Sequence, residues 1–345
     1  MKALIIGGSG GLSGALASMA KESYEVWALT RGKRPLGEGI IPLHADRDNE
    51  EEFRSAVLGA GVTWDVVFDC ICMNERHAEQ DLEVLSKVSG RLVVISTDSV
   101  YDPARKRTPQ TEEGFFVEET GTPGECSYAG NKRKMEEVFL RCFSGEERCS
   151  LNVTLFRPGH IYGPGFLIGC YPEHSRQKEL PDLILAGQPL SLVASGIYVT
   201  QPIFVRDLAR VMLECVDKPG TFQQIFCIGG PEAVENRIYY EILGKLLGVE
   251  TVIRELPLTG YLDAHPDYSG HLCHRIYDLS KLKAAGVELP ATPLEEGLKL
   301  HLESLGYLYT AGAVPIGINK RKCLENQFFS RLWGRSGLIS QCADI

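Results

Sequence analysis

The amino-acid sequence predicts an α/β fold built on a doubly wound parallel sheet. Apolar runs of strand length alternate with helix-like runs through residues 1–160, a pattern typical of parallel strands joined by helices that cover both faces. The first strand-like run passes directly into a glycine-rich turn and then a helix. The composition of the 345-residue chain, with 44% hydrophobic and 23% charged residues, is that of a globular protein.

Six strand-like runs define the predicted sheet. They are short and apolar, and turn-forming residues bound them. They occupy residues 3–6, 24–29, 40–43, 64–70, 91–96 and 152–156. Helices are predicted from Leu16 onward, after the first strand, and over residues 128–142, before the sixth.

The second half of the chain alternates less regularly. After residue 165, prolines, glycines and aromatic residues precede a helix predicted at 206–216 and a returning strand at 224–228. A further helix is expected at 237–247. A last helix is predicted to start at Pro293, because proline suits the first helical position.

The net charge and the cysteine pattern limit the kinds of binding partner and the cellular compartment that are expected for this protein. The net charge of −9 argues against nucleic-acid binding and against an anionic membrane surface. No run approaches the ~20 apolar residues that span a bilayer, and the N-terminus lacks the pattern of an export signal. The eleven cysteines form no regular framework, which favours reduced thiols and a cytoplasmic protein. We expect the basic, aromatic tail after Tyr307 to pack against the body or a partner subunit.

The glycine-rich turn predicts a dinucleotide site of the Rossmann type. Glycines allow the backbone to approach a pyrophosphate, and the helix that follows offers free N–H groups. Two registers fit the pattern: Gly8, Gly11 and Gly14, or Gly7, Gly10 and Ser13. We prefer the second register, since it places the first glycine at the end of the strand. The predicted cofactor contacts in this loop are Gly7, Gly10, Gly11, Leu12 and Ser13.

The end of the second strand indicates which nicotinamide cofactor is used. NAD enzymes usually place an acid there to hold the ribose 2′-hydroxyl, but this chain has Arg31, Lys33 and Arg34. Cations suit a 2′-phosphate, so NADP is favoured over NAD. Asp46 follows the third strand and is a candidate for the adenine amino group, and Arg47 beside it is assigned to the same site.

A tyrosine and a lysine four residues apart carry the predicted chemistry. Tyr128 and Lys132 would share one face of a helix. An ammonium near a phenol favours the phenolate and lowers a pKa that starts near 10. The tyrosine can then exchange a proton with a substrate hydroxyl or carbonyl, and the lysine can also bind the nicotinamide ribose. Thr97, at the end of the fifth strand, is placed to hydrogen-bond the substrate oxygen, because ligands bind at the carboxyl ends of parallel strands.

Together these segments resemble one known family. The chain is similar to extended short-chain dehydrogenase/reductases of the NAD-dependent epimerase/dehydratase family. The resemblance covers Met1 to about Leu305 and rests on the glycine loop and residues 96–101, 128–132, 157–165, 205–209 and 277–282.

The resemblance implies roles for particular residues and a division of the chain. It implies a catalytic triad of Thr97, Tyr128 and Lys132, with His160 against the nicotinamide and Tyr162 against the substrate. It also implies a Rossmann domain at 1–165, with returning segments at about 203–230 and 276–285. A smaller, interleaved substrate lobe would use 166–202, 231–275 and 286–306, and residues 307–345 would form a C-terminal extension.

The chain departs from the family at positions that bear on the reaction. Sugar-nucleotide 4,6-dehydratases carry Thr-Asp-Glu where this chain has Thr97, Asp98 and Ser99. Dehydration is therefore disfavoured, because the carboxylate base is missing. Asp98 and Ser99 remain candidates for substrate contact, with Asp98 open as an acid or as a helix-capping group.

A second departure concerns the group that the sugar carries. Many nucleotide-sugar members place an arginine at the position of Thr200 and an asparagine at that of His160. Arg176, His274 or Arg275 are alternatives for the diphosphate contact. The sequence therefore leaves open whether the substrate carries a nucleotide.

Two groups of cysteine and histidine residues are candidates for metal binding or for a place in the cofactor site. The spacing of His271, Cys273 and His274 matches no standard zinc pattern, and no metal site is expected. Cys70 and Cys72 are expected to line the cofactor crevice.

The sequence therefore predicts reversible hydride transfer between a sugar carbinol carbon and the nicotinamide. An epimerase is the first interpretation, and an NADPH-dependent keto-sugar or carbonyl reductase is the alternative. A non-catalytic dinucleotide-binding sensor or scaffold is the alternative from another class. We expect a small-molecule substrate and a homodimer.

Overall fold

The computed structural model describes residues 1–119, 126–146, 149–170 and 172–308. Its strands are β1 (Lys2–Ile6), β2 (Glu25–Thr30), β3 (Ile41–His44), β4 (Val66–Asp69), β5 (Arg91–Ile95), β6 (Asn152–Pro158), β7 (Ile161–Tyr162), β8 (Leu190–Val193), β9 (Val199–Thr200), β10 (Ile203–Phe204), β11 (Gln224–Ile228), β12 (Val234–Glu235) and β13 (Ile253–Leu256). Its helices are α1 (Gly11–Ala20), α2 (Glu50–Gly59), α3 (Glu75–Leu85), α4 (Tyr128–Ser144), α5 (Leu180–Leu185), α6 (Val205–Glu214), α7 (Asn236–Leu247), α8 (Leu258–Ala264), α9 (Ser280–Ala284) and α10 (Leu294–Ser304).

Seven of these strands form one parallel sheet in the order β3-β2-β1-β4-β5-β6-β11. The predicted doubly wound parallel sheet is confirmed. The strand order reverses on either side of β1, so the crevice at the carboxyl ends of β1 and β4 is the topological switch point where such sheets bind ligands.

The apolar pattern of β1 shows why the sheet is buried on both faces. Ala3 and Ile5 belong to one core cluster, whereas Leu4 and Ile6 belong to the other. Successive side chains of a strand point to opposite faces, so an uninterrupted apolar run is what a sheet with helices on both sides requires. Leu16 of α1 and Leu208 of α6 fill the first cluster. Phe53 of α2, Val84 of α3 and Phe139 of α4 fill the second.

Local capping fixes the ends of the helices that matter for the site. The Ser127 side chain accepts a hydrogen bond from the Gly130 N–H at 3.2 Å, so α4 begins at Tyr128. A left-handed glycine follows the last residue of two helices: Gly145 after α4, with φ of 80°, and Gly248 after α7, with φ of 78°. The late helix starts one residue after the predicted position, because Pro293 is its capping residue rather than its first turn.

Outside the central sheet, short strand pairs and helices build a smaller region. β7 pairs with β10, β8 with β13, and β9 with β12. Tyr240 of α7 donates from its hydroxyl to the Cys170 carbonyl at 2.7 Å, which ties this region to the segment after β7. Among the described residues, no helix has the length and apolar character needed to cross a membrane. The predicted C-terminal extension lies, from residue 309 onward, outside the described residues.

Candidate active site

The glycine loop joins β1 to α1 in a conformation that needs glycine. Gly7 and Gly8 have φ of 123° and 66°, values that side-chain-bearing residues rarely adopt. The Gly10 N–H donates to Ser13 Oγ at 2.9 Å, and a Cβ on Gly7 would lie 3.3 Å from the Ser13 side chain. These contacts favour the register of Gly7, Gly10 and Ser13, because the three positions meet in space.

Phe166 covers the first residue of α1. A Cβ on Gly11 would lie 2.5 Å from Cε2 of the Phe166 ring, and a Cβ on Gly165 would lie 3.0 Å from the Gly11 Cα. The guanidinium of Arg176 lies 5.7 Å from the centre of the same ring. The segment after β7 therefore forms one wall of the crevice at the helix N-terminus, with a cation near its edge.

The end of β2 presents cations to solvent. Arg31, Lys33 and Arg34 are exposed. The buried Thr30 uses its Oγ1 to accept a hydrogen bond from the Gly32 N–H at 3.1 Å. The half-buried Asp46 accepts from the Asp48 N–H at 3.1 Å.

Arg47 is a correction to the predicted cofactor site. Its side chain is buried, it pairs with Asp69 and, at 2.7 Å, with Asp81, and it donates to the His77 carbonyl at 2.9 Å. Two buried carboxylates require a cation, so the guanidinium turns into the core instead of toward a cofactor. Asp69, Asp81 and Cys72 could together ligate a metal, but the Arg47 guanidinium contacts all three side chains.

Lys132 is buried at the carboxyl edge of the sheet. Its ammonium donates to the Cys72 carbonyl at 2.6 Å and to the Ile95 carbonyl at 2.8 Å, and burial lowers its pKa. Among the described residues, these two bonds account for two of the three N–H groups of the ammonium. Tyr128, one helical turn earlier, is 56% exposed.

Thr97 lies directly after β5, on the same edge. Its Oγ1 accepts a hydrogen bond from the Ser99 N–H at 3.2 Å and donates to Ser99 Oγ at 3.3 Å. Ser99 is partly exposed. Thr97 therefore caps the short turn that follows β5. This turn lies next to Ile95, the last residue of β5, whose carbonyl accepts the hydrogen bond from Lys132.

A buried ion pair fixes α4 against the sheet. Arg157 of β6 donates to both carboxylate oxygens of Glu136, at 2.8 and 2.7 Å, and Ser96 donates to the same carboxylate at 2.6 Å. Glu136 follows Lys132 by one turn of α4. The pair thus sets the position of the helix that carries Tyr128 and Lys132.

Asp98 is a second correction, because it is not available as an acid. Its Oδ2 accepts from the Lys106 ammonium at 2.6 Å and from the Tyr277 hydroxyl at 2.7 Å, and Arg275 Nε lies 3.5 Å away. Burial opposes ionisation, but Arg275 and Lys106 outweigh it and hold the pKa of this carboxyl well below its usual range. Asp98 is therefore an ionised partner of two cations.

The side chains of His160 and Tyr162 lie in different surroundings. The pKa of His160 is lowered to about 3 by burial, with Arg176 and Arg275 adding to the effect. Tyr162 is 2% exposed and packs on Phe204, with ring centres 5.7 Å apart. The predicted substrate contact by the Tyr162 side chain is therefore wrong, because the ring fills the core.

A family model now identifies the chain. The model of the NAD dependent epimerase/dehydratase family matches residues 3–229. The chain belongs to the NAD-dependent epimerase/dehydratase family. This confirms the resemblance drawn from the sequence motifs, and with it the expectation of a nicotinamide-dependent enzyme.

Two curated relatives of this family member have different described roles. The chloroplast stem-loop binding protein of 41 kDa b from Arabidopsis thaliana is 27% identical over 249 residues, which are 68% of this chain and 60% of that protein. A dTDP-4-dehydro-6-deoxy-D-allose reductase from a Streptomyces species is 24% identical over 303 residues, 80% of this chain and 86% of the reductase.

Solved structures share the epimerase/dehydratase fold. UDP-glucuronic acid 4-epimerase from Bacillus cereus, in complex with UDP-glucuronic acid and NAD, gives a TM-score of 0.67 at 19% identity, covering 90% of this chain and all (100%) of that one. UDP-glucose 4-epimerase from Thermotoga maritima gives 0.67 at 20% identity, covering 89% and 99%.

Sequence reasoning missed several residues of the site. Lys106 and Tyr277 bind Asp98, and Phe166 covers Gly11. A buried acid in the segment 97–99 implies partners, but nothing in the local sequence says that they lie 8 and 179 residues further along the chain.

Proposed function

We propose that this protein is an NAD(P)-dependent sugar epimerase that acts at a hydroxyl-bearing carbon. The observation that carries the proposal is the arrangement on α4: an exposed Tyr128 one helical turn from a buried Lys132, at the carboxyl edge of the sheet. Bound nicotinamide supplies a reversible acceptor for the hydride of that carbon. Tyr128 takes the proton of the substrate hydroxyl and returns it, and Thr97 orients the oxygen.

The described residues suit a dinucleotide. The Gly7 and Gly8 backbone conformations and the N-terminus of α1 that follows them support a pyrophosphate site. We assign the third N–H of Lys132 to the nicotinamide ribose, and Leu12 and His160 stand as further contacts.

We infer a preference for NADP over NAD from the exposed cations at the end of β2. Arg31 is the first of them, and no carboxylate replaces it between Thr30 and Arg34. Arg31→Ala should weaken NADP binding by ~10-fold or more and leave NAD binding nearly unchanged. Fluorescence titration with both cofactors measures this, and tighter binding of NAD by the unmodified protein would overturn the preference.

The balance of cofactor and product distinguishes the candidate functions. The cofactor-loaded protein is incubated with a panel of sugars, and products are analysed by NMR while absorbance at 340 nm is followed. An epimerase converts the sugar without net change at 340 nm. Stoichiometric consumption of reduced cofactor would instead favour the keto-sugar reductase, the activity named for the Streptomyces relative. Neither product nor absorbance change would favour a non-catalytic sensor or scaffold.

We also propose a cytoplasmic homodimer. The described cysteines form no disulfide: Cys70, Cys72, Cys126, Cys142, Cys149, Cys170, Cys215, Cys227 and Cys273 are free thiols, which suits a reducing compartment. Light scattering on the purified protein tests the dimer.

A further inference from the structure

His301 of α10 joins the two ends of a short turn that follows β7. Its imidazole is fully buried, at 0% exposed. Its Nδ1 accepts a hydrogen bond from the Gly163 N–H at 3.2 Å, and its Nε2 lies 2.9 Å from the Phe166 carbonyl oxygen. Within the turn, the Phe166 N–H donates to the Gly163 carbonyl at 3.1 Å. One side chain of α10 therefore holds both ends of the turn at residues 163–166.

The two partners of His301 determine its protonation state. A backbone N–H can only donate a hydrogen bond, and a backbone carbonyl can only accept one. Nδ1 therefore carries no hydrogen and Nε2 carries one, which makes the ring the neutral Nε2–H tautomer. Burial lowers the pKa of His301 and so favours the same neutral form. The imidazole is thus a bridge that accepts on one side and donates on the other.

Two glycines allow α10 and the turn to approach each other closely. A Cβ on Gly163 would lie 2.8 Å from the Phe204 ring. Gly297 lies one helical turn before His301, and a Cβ there would lie 2.2 Å from the Tyr162 hydroxyl. The bridge is therefore made between closely packed backbones, where a replacement side chain has little room to find other partners.

The turn that His301 holds carries one wall of the predicted cofactor crevice. Phe166 is the last residue of the turn, and its ring packs on Gly11, the first residue of α1. Gly165 approaches the same residue, since a Cβ on Gly165 would lie 3.0 Å from the Gly11 Cα. A shift of the turn therefore moves the ring that covers the N-terminus of α1.

We propose that His301 is a positioning residue for the nicotinamide cofactor, which acts through Phe166 without touching the cofactor itself. The inference rests on the proposed function, because it takes the N-terminus of α1 as the pyrophosphate site. Without the imidazole, the Gly163 N–H and the Phe166 carbonyl lose their partner in a buried place, and such groups turn toward water. The turn then loosens, and the ring no longer excludes water from the pyrophosphate site.

The same bridge connects two parts of the chain. The sequence assigns residues 286–306, which include α10, to the substrate lobe, whereas Gly11 belongs to the glycine loop region of the Rossmann domain. His301 thereby couples the packing of α10 to the cofactor crevice. We expect cofactor binding and the order of α10 to depend on each other, because such coupling is reciprocal.

Cofactor affinity in variants of the protein, measured by fluorescence titration with NADP and NAD, tests this role. His301→Phe keeps an aromatic ring but removes both hydrogen bonds, and it should weaken binding of the preferred cofactor by ~10-fold or more. His301→Gln keeps a donor toward the Phe166 carbonyl and should recover part of the affinity. Thr251→Val is the matched control, because it removes a part-buried hydrogen bond to the Tyr240 carbonyl. It should lower stability and leave the affinity unchanged.

A double-mutant cycle separates positioning from a general loss of structure. Phe166→Ala should itself weaken cofactor binding by ~10-fold. In that background, His301→Phe should have less than about a twofold further effect, because the ring through which it acts is gone. Unchanged affinity in either single variant, or full additivity of the two changes, would overturn the proposal.

Hydrogen exchange in the unmodified protein decides the question even if His301→Phe does not fold. Addition of the preferred cofactor should slow amide exchange in residues 161–168 and 294–304, since the imidazole joins these segments. Residues 253–264, which carry β13 and α8, are the reference and should not change. Protection confined to 161–168, or spread equally over all three segments, would overturn the proposal.

The failure of this inference is distinguishable from that of the proposed function. If the unmodified protein binds neither NADP nor NAD, the proposed function is wrong and this inference with it. If it binds a cofactor but the affinity does not respond to His301, this inference alone is wrong.

Discussion

The ammonium of Lys132 donates a hydrogen bond to the backbone carbonyl of Cys72 across 2.6 Å. Cys72 lies beyond β4, and its thiol accepts from Arg47 at 3.7 Å. The loop after β4 therefore contacts both residues: its Cys72 carbonyl binds Lys132, and its Cys72 thiol binds Arg47 of the buried ion cluster. The integrity of the α4 site depends on a buried ion cluster that the sequence motif does not include.

Arg47→Met should destabilise the protein strongly. The change leaves Asp69 and Asp81 buried without their cation, and breaking a buried pair in this way typically costs about 3–5 kcal/mol. Arg54→Met is the matched control, because it removes an arginine that pairs with Glu83 at the surface, where about 0–1 kcal/mol is at stake. Urea unfolding measures both, and similar small losses for the two variants would contradict the role given to Arg47.

Gly11 and Gly14 on the same helix should respond oppositely to alanine. A Cβ on Gly11 would lie 2.5 Å from the Phe166 ring, whereas one on Gly14 would lie 3.8 Å from its nearest neighbour, the Gly8 carbonyl. We expect Gly11→Ala to lose about 1–3 kcal/mol through overpacking, and Gly14→Ala to gain up to about 1 kcal/mol from helix propensity.

Thermal unfolding followed by circular dichroism compares the two glycine variants. Adding Phe166→Leu to Gly11→Ala should restore part of the lost stability, because the smaller side chain makes room. No recovery in the double variant would show that Phe166 is not the group that excludes a side chain at Gly11.

His160 should make the protein less stable as the pH falls. Its imidazole titrates near 6.5 in the unfolded chain, but burial lowers the pKa to about 3 in the folded protein. Between these values the unfolded state binds a proton that the folded state does not, so stability decreases with falling pH by at most about 1.4 kcal/mol per unit.

The variant His160→Asn tests the acid effect, because asparagine does not titrate. The difference in urea midpoint between pH 7 and pH 5 should be smaller in this variant than in the unmodified protein. His265→Asn serves as control, since that histidine is exposed. An unchanged pH difference in His160→Asn would mean that other groups cause the acid sensitivity.

The sequence predicted the sheet well because the signals are local. The uninterrupted apolar run in β1, from Ala3 to Ile6, reflects burial on both faces of the sheet, and it is visible in the sequence without knowledge of the neighbouring strands. The four-residue spacing of Tyr128 and Lys132 likewise follows from helix geometry alone.

The directions of polar side chains could not be predicted in the same way. Arg47 turns to Asp81, 34 residues away, and Asp98 to Tyr277, 179 residues away. Tyr162 points toward Gly297, where a Cβ would lie 2.2 Å from its hydroxyl. The direction of each of these side chains depends on which distant elements pack against it. A sequence motif therefore identifies the residue type, whereas the fold determines what the side chain contacts.

Replacement of Tyr128 by phenylalanine tests the central claim most directly. Rapid mixing of the NAD(P)⁺-loaded protein with a sugar that it converts, followed at 340 nm, measures hydride transfer in one turnover. Tyr128→Phe removes the proton acceptor at an exposed position and should slow this step by ~100-fold or more while cofactor affinity stays the same. Tyr24→Phe, a change outside the site, should leave the rate unchanged. Equal single-turnover rates in Tyr128→Phe and the unmodified protein would contradict the account.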